Sequence, residues 1–498
     1  MVEALGEGLA MILTPSAMAY LVLGVLIGLL VGVLPGLGGP AALSLVLPFT
    51  FGMEPAEAFA LMFGLAAVIT LAGDLTSILI GVPGEATSAA MVLDGYPMAR
   101  KGEAGRAIGA TLTACLFGAV FGLIIILLII PVVRPLVLRL QSPELFMFTI
   151  LGLSFIAVLS RGSRLKGLIA ATLGLLIATV GLDPQTGITR FTFGEIGLWD
   201  GVGIVSVAMG LFAVPELLQL LLSKDEQQSR KVDVGGARRG FGDVIRGWGL
   251  TLRCSALGAV VGIVPGLGGA VGQWVAYGHA VQSSKDKDRF GKGAVEGVIG
   301  PAAANQSKEG GSLIPTLAFG VPGGTMMAIL MGGLLIQGVI PGPKMLSEDL
   351  SLTMSFIWII LFANIVAVAI CLPLAGRIGW LATARASVLV PVVTVFVYVG
   401  AFAQHRQLID IWLMLIFGAI GVVMVACNWP RPPLILGLVL GDLSERYLFR
   451  SVAGDGWDWL TRPTVIAIAV VTVLVIMSGT VSRGGRKAAA PEMEDSRG

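Results

Sequence analysis

Charge is scarce in this chain. Asp, Glu, Lys and Arg make up 13% of its 498 residues, where a soluble domain carries about 25%. That excludes an ordinary soluble globular protein, and a net charge of +2 predicts no nucleic-acid partner. The two histidines, His279 and His405, stand far apart. Each of the four cysteines, Cys115, Cys254, Cys371 and Cys427, sits alone in an apolar stretch. Neither set spells a metal centre, a disulfide framework or a catalytic constellation. No Gly-x-x-x-x-Gly-Lys-Ser/Thr occurs, which excludes an ATP-driven pump of the P-loop type. No basic residue precedes Arg100, so the first helix, not a cleavable signal peptide, is expected to direct insertion.

What is present is apolar and glycine-rich: 55% hydrophobic residues, 69 glycines and a mean hydropathy of +0.90. Runs at residues 107–130, 167–180, 408–426 and 465–477 approach or reach the ~20 residues that cross a bilayer as a helix. Backbone polar groups in lipid must be satisfied within the chain, which leaves helices or a closed barrel. Runs this long without alternation exclude the barrel. The expected fold is an all-α polytopic membrane protein of about ten to twelve transmembrane helices, with two re-entrant or broken Gly/Pro segments in each half.

Those broken segments recur. Val31-Gly32-Val33-Leu34-Pro35-Gly36-Leu37-Gly38-Gly39-Pro40 returns as Val261-Gly262-Ile263-Val264-Pro265-Gly266-Leu267-Gly268-Gly269-Ala270, 230 residues on. Gly81-Val82-Pro83-Gly84 returns as Gly320-Val321-Pro322-Gly323, 239 residues on. Two motifs in the same order indicate an internal duplication, the nine extra residues fitting a polar insertion near Ser283 to Lys292. Gly36-Leu37-Gly38-Gly39-Pro40-Ala41 also fits the dinucleotide fingerprint, but a lipid-length helix precedes it and no acidic ribose partner follows. Proline beside three glycines breaks the i→i−4 ladder and frees N–H and C=O groups. At membrane depth such groups are tolerated only where they are buried in protein or line a cavity. Matched breaks in two halves point to a transport site.

The expected substrate-binding residues are therefore Pro35, Gly36, Gly38 and Gly39 with Pro265, Gly266, Gly268 and Gly269 at the tips. Pro83, Gly84, Thr87 and Ser88, with Asn305, Pro322, Gly323 and Thr325, join them at the second breaks. A helix restarting after Pro83-Gly84 or Pro322-Gly323 offers exposed N–H groups and a positive dipole end, a ready site for an anion. Glycine at a tip reads as positive φ or close approach of a ligand. Carboxylates and hydroxyls suit a coupling cation, Na⁺ or H⁺. Asp74, the lone acid of its apolar run, heads the expected ion-coupling group, with Ser77, Glu309, Ser312 and Thr316. No metal beyond a possible Na⁺ and no organic cofactor is expected.

Charge placement orients the halves. Residues 1–99 carry only acids, among them Glu3, Glu7, Glu54 and Glu57, whereas Arg238, Arg239, Arg246, Lys285, Lys287, Arg289 and Lys292 flank the second hairpin. Positive loops stay cytoplasmic, so the hairpins are expected to open to opposite faces. This favours an inverted repeat over a parallel one. The division is residues 1–222 as the first membrane repeat, 223–247 as a cytoplasmic linker and 248–482 as the second repeat. Residues 483–498 form a polar tail with little to bury.

The duplicated motifs, in order PGLGG, GDLTSILIGVPGE at 73–85, VPGLGG and GPAAANQSKEGGSLIPTLAFGVPG at 300–323, resemble the large membrane subunit of the tripartite tricarboxylate transporters, the TctA family. The resemblance covers Ala19 to about Pro463. It implies ion-gradient-driven secondary uptake of di- or tricarboxylates at the bacterial inner membrane. It also implies two partners, a small four-span membrane subunit and a periplasmic solute-binding protein. The competing reading is a channel or an intramembrane enzyme on a duplicated bundle. The sparse His, Cys, Asp and Glu argue against the enzyme, and the twofold repeat argues against a channel built by oligomeric symmetry.

Overall fold

The computed structural model describes residues 1–34, 37–159, 164–183, 185–222, 236–265, 268–381 and 386–481. The tail at 483–498, most of the linker, and Pro35, Gly36 and Gly266 lie outside the described residues. Among the described residues the chain is helical nearly throughout, with one two-stranded antiparallel ribbon, Gly181–Leu182 against Thr189–Arg190. Before the linker run α1 (Val2–Ile12), α2 (Pro15–Val33), α3 (Gly39–Val46), α4 (Pro55–Ile80), α5 (Val92–Arg100) and α6 (Ala104–Val137). They are followed by α7 (Ser142–Leu159), α8 (Arg164–Ala178), α9 (Ile204–Ala208) and α10 (Val214–Leu222), the last two joined by a π-helical turn. After it come α11 (Ala237–Arg246), α12 (Trp248–Ile263), α13 (Gly268–Ser283), α14 (Glu296–Phe319) and α15 (Thr325–Ile336). The set closes with α16 (Leu350–Leu381), α17 (Ala386–Ala403), α18 (Leu408–Ala426), α19 (Pro432–Asp455) and α20 (Pro463–Val481).

Six of the described helices are long and apolar enough to cross a membrane: α2, α4, α6, the α9–α10 unit, α16 and α18. A seventh span is possible if α11 and α12, bent by 80° at Gly247, count as one. The expected ten to twelve crossings would need shorter apolar helices such as α8, α15 and the apolar parts of α7, α17 and α20. Helix α14 falls outside the set because Asn305, Gln306, Lys308 and Glu309 interrupt it, although it is buried along its length.

Both breaks are built by local rules. Thr14 caps α2, accepting from Ala17 N at 3.4 Å, with Pro15 in the first turn. Helices α4 and α14 both end on a left-handed glycine, Gly81 at φ +73° and Gly320 at φ +66°, each two residues before a proline that cannot continue the helix. Small residues let the helices close in. A Cβ on Gly28 would lie 2.8 Å from Leu65 O and one on Gly32 2.5 Å from Ile69 O, so α2 runs parallel to α4 at backbone contact. In the second half Gly258 meets Ala304 O and Gly262 meets Lys308 O, so α12 runs parallel to α14. Helices α3 and α13 must then double back, which makes α2–α3 and α12–α13 re-entrant hairpins.

Their bases lie at opposite ends of the bundle. Helices α6 and α14 run side by side: Gly118 meets Ala303, Gly122 meets Ser307, and further on Ile126–Val133 and Leu313–Ala318 reach Leu346 and Thr353. Their starts gather the basic segments, Lys101 Nζ donating to Lys292 O at 2.6 Å and Arg106 Nε to Asp243 at 2.6 Å. Their far ends lie by Ser351, which hydrogen-bonds Glu7 beside the base of the first hairpin. At the basic end Asp94 of α5 clasps the second half. Oδ1 accepts from Gly293 N and Ala294 N at 2.8 Å each, and Oδ2 from Tyr277 hydroxyl at 3.0 Å. Residues 236–247, read from sequence as linker, hold α11, whose Gly240 packs against Arg106 O on α6. With exposed Cys427 replaced by serine, cysteines at Glu103 and Lys285 should react with an impermeant maleimide from one side of the membrane and one at Glu54 from the other. Labelling of all three from one side would overturn this arrangement.

Candidate functional site

The first hairpin tip, the end of α12 and the two Val-Pro-Gly breaks converge on one cavity of about 440 Å³. The first tip contributes Gly38 and Pro40, the first break Pro83, Gly84, Glu85 and Thr87, and α4 Thr70. The second half contributes Val261 and Gly262 of α12, Lys308, Glu309 and Ser312 of α14, and Gly323, Gly324 and Thr325 at the start of α15. Glu216 of α10 and Arg431 before α19 complete the wall. Two contacts seat the breaks. A Cβ on Gly84 would lie 2.7 Å from both Gly32 O and Gly73 Cα, and one on Gly323 2.6 Å from Ser312 Cβ and 3.1 Å from Gly262 O. Gly32 and Gly262 are 230 residues apart, Gly73 and Ser312 239, the same offsets as the sequence motifs.

The cavity is charged, and its lysine–glutamate pair is withdrawn from solvent. Lys308 Nζ is 3.0 Å from Glu309 Oε1, and both residues are buried. Arg431 lies 3.7 Å from Glu216, donates to Leu211 O at 3.0 Å, and stacks 5.1 Å over the Phe212 ring. The start of α3 holds two carboxylates: Gly38 N donates to Glu216 at 3.1 Å and Gly39 N to Glu85 at 3.1 Å. Thr87 donates to the other oxygen of Glu85 at 3.0 Å. Backbone N–H groups at a helix start thus do here what they do for anions generally, with the protein's own glutamates in place. Gly38 sits at φ −70°, so it supplies an N–H and close approach, not the positive φ that the motif suggested.

Of the other expected residues, Asn305 lies behind the cavity, donating to Asp74 at 3.2 Å. Ser88 is buried beside Gly73. Pro265 lines a separate apolar crevice with Phe148 and Val321, while Gly268 and Gly269 open α13 and Pro322 lies in the break. Three expected hydroxyls are bound to backbone: Ser77 to Gly73 O and Ser88 O, Ser312 to Glu309 O, and Thr316 to Ser312 O while accepting from Gly323 N. Sequence reading missed Glu216, Arg431 and Gln273, which donates to Asp74 at 2.9 Å. Glu216 carried a usable signal, a lone acid in an apolar run. A second cavity of about 620 Å³, lined by Arg190, Asp200, His405 and Glu445, lies elsewhere; there a hydrogen bond to Asp410 raises the His405 imidazole above its usual value. Among the described residues no group of three His, Cys, Asp or Glu is placed to hold a metal ion.

Buried polar breaks inside a bundle of lipid-length helices define a multi-pass membrane protein with a charged internal cavity. Residues 18–436 match the model of the tripartite tricarboxylate transporter TctA family, and the chain belongs to that family. It is therefore the large subunit type of a transporter with further subunits. Among similar proteins is one of Agrobacterium vitis described as "Uncharacterized 52.8 kDa protein in TAR-I ttuC' 3'region", 32% identical over 483 residues and 96% of each chain. Another from the same organism, "Uncharacterized protein in TAR-II ttuC' 3'region", is 30% identical over 226 residues, 44% of this chain and 93% of its own length. No solved structure matches.

Proposed function

We propose that this chain is the permease subunit of a binding-protein-dependent tripartite transporter, taking up di- or tricarboxylates across the bacterial inner membrane by ion-gradient-driven symport. The observation that carries this is the pair of carboxylates on the α3 N–H groups inside the cavity. Donors that hold Glu85 and Glu216 suit the carboxylates of a substrate, which would take their place. The released glutamates would remain beside Lys308 and Arg431, and Thr325 adds a hydroxyl at the opposite wall. Matching offsets of the tip and break contacts, and hairpins rooted at opposite ends, support an inverted duplication and access from alternate sides. The basic end would face the cytoplasm. A small four-span subunit and a periplasmic binding protein are the proposed partners.

The test is uptake of radiolabelled di- and tricarboxylates by cells expressing the chain with its two partner subunits. Accumulation of at least one carboxylate should collapse when the sodium and proton gradients are dissipated. Uptake of none of them, or uptake indifferent to both gradients, would reject the proposal.

A further inference from the structure

Asp74 lies in α4, wholly buried, and among the described residues no basic group forms an ion pair with it. Its carboxylate accepts from two side-chain amides of the second half, Gln273 Nε2 on Oδ1 at 2.9 Å and Asn305 Nδ2 on Oδ2 at 3.2 Å. The other atom of each amide, Gln273 Oε1 and Asn305 Oδ1, accepts no hydrogen bond, and the Ser88 hydroxyl lies within hydrogen-bond reach of the same carboxylate. All four residues are fully buried. Buried polar atoms are nearly always satisfied, and a group of them left without protein partners is where a bound water or ion is expected. Two unpartnered amide oxygens, on the very residues that hold one buried carboxylate, form such a group.

We propose that Asp74, Asn305, Gln273 and Ser88 form a binding site for a dehydrated Na⁺, and that this is the ion coupled to transport. The chemistry follows from the donor set. A half-turn of each terminal amide exchanges nitrogen for oxygen with almost no change of shape. It converts two donors aimed at Asp74 into two carbonyl acceptors. One carboxylate, two amide oxygens and a hydroxyl then surround the ion, an all-oxygen set of the kind hard cations prefer. The single negative charge balances a monovalent ion. It also removes the cost of a buried carboxylate without a countercharge.

The site is wired to the cavity by position. Ser88 ends the segment 83–88 that supplies Pro83, Gly84, Glu85 and Thr87 to the cavity, and Asn305 lies one helical turn before Lys308 on α14. Ordering Ser88 and Asn305 around an ion therefore sets the wall that receives a carboxylate. The coupling role rests on the reading of that cavity as the substrate site, whereas ion binding itself does not.

The experiment uses the purified full-length chain in nanodiscs, with ²²Na⁺ as probe and no carboxylate present. Wild type should show saturable binding at a single site, competed by unlabelled Na⁺ and not by choline. Asp74→Asn should abolish it. Ser88→Ala, which removes one hydroxyl and leaves packing intact, should weaken it on the order of tenfold or more. Absence of saturable binding to wild type, or binding unchanged in both variants, would overturn the site. In a second arm with radiolabelled di- and tricarboxylates added, sodium binding without binding of any carboxylate would keep the ion site and overturn the substrate reading. Carboxylate binding without sodium binding would do the reverse.

Discussion

Lys308→Met should abolish carboxylate uptake, and the double variant Lys308→Met/Glu309→Gln should fold yet still fail to transport. Lys308 and Glu309 are both buried, with Nζ 3.0 Å from Oε1. Removing the lysine alone leaves an uncompensated carboxylate in the interior, a loss of about 3–5 kcal/mol, so the single variant should be scarce in the membrane. Removing both charges lifts that penalty, because no unpaired ion remains. Transport then reports what the ammonium does for an incoming anion. Its loss should lower uptake on the order of a hundredfold, about 2.8 kcal/mol, at normal membrane abundance. Near-normal uptake by the double variant would reduce Lys308 to a structural partner of Glu309 and remove it from the substrate site.

Gly262→Val should destabilise the protein by about 3 kcal/mol, whereas Gly6→Val should be neutral. At Gly262 an added Cβ runs into Lys308 O, forcing α12 away from α14 and unseating the second break, since Gly323 rests on Gly262 O. Nothing lies within 4 Å of a Cβ on Gly6, so that variant controls for glycine replacement in general. Thermal unfolding of the purified variants, with membrane abundance alongside, is the measurement. Equal behaviour of the two would mean that α12 and α14 do not meet at backbone contact. Gly38→Ala is a different case. Its Cβ would sit 3.4 Å from Glu216 Oε1, so the fold should survive while the carboxylate on the α3 start is disturbed.

Much of this was legible in the residues because it follows from backbone chemistry. Proline and glycine clusters can only break helices, so the tips and the Val-Pro-Gly turns were visible; the first tip and both turns line one cavity, whereas Pro265 of the second tip lies in a separate crevice. The lone acid of an apolar run marked Asp74. The partners of these groups were not legible. Gln273 follows the second tip in a stretch whose polarity looks ordinary, and nothing in sequence brings α13 against α4. Arg431, between Pro430 and the pair Pro432-Pro433, reads as a loop cation until α19 packs beside the cavity. Hydroxyls misled in the other direction: Ser77, Ser312 and Thr316 look like free donors, but within a helix each can bond a carbonyl one turn back, and each does. Crossing number was the weakest inference, because hairpin arms and full spans share one composition.

The grip of Asp94 on Gly293, Ala294 and Tyr277 bears on motion. Hydrogen bonds to a charged group contribute roughly 1.5–3 kcal/mol each. Two of them latch α5 to the segment leading into α14 and the third latches it to α13, so the molecule is bolted shut at its basic end. Any rearrangement that exposes the cavity on that side must carry α5, α13 and α14 as one rigid body or spring the latch.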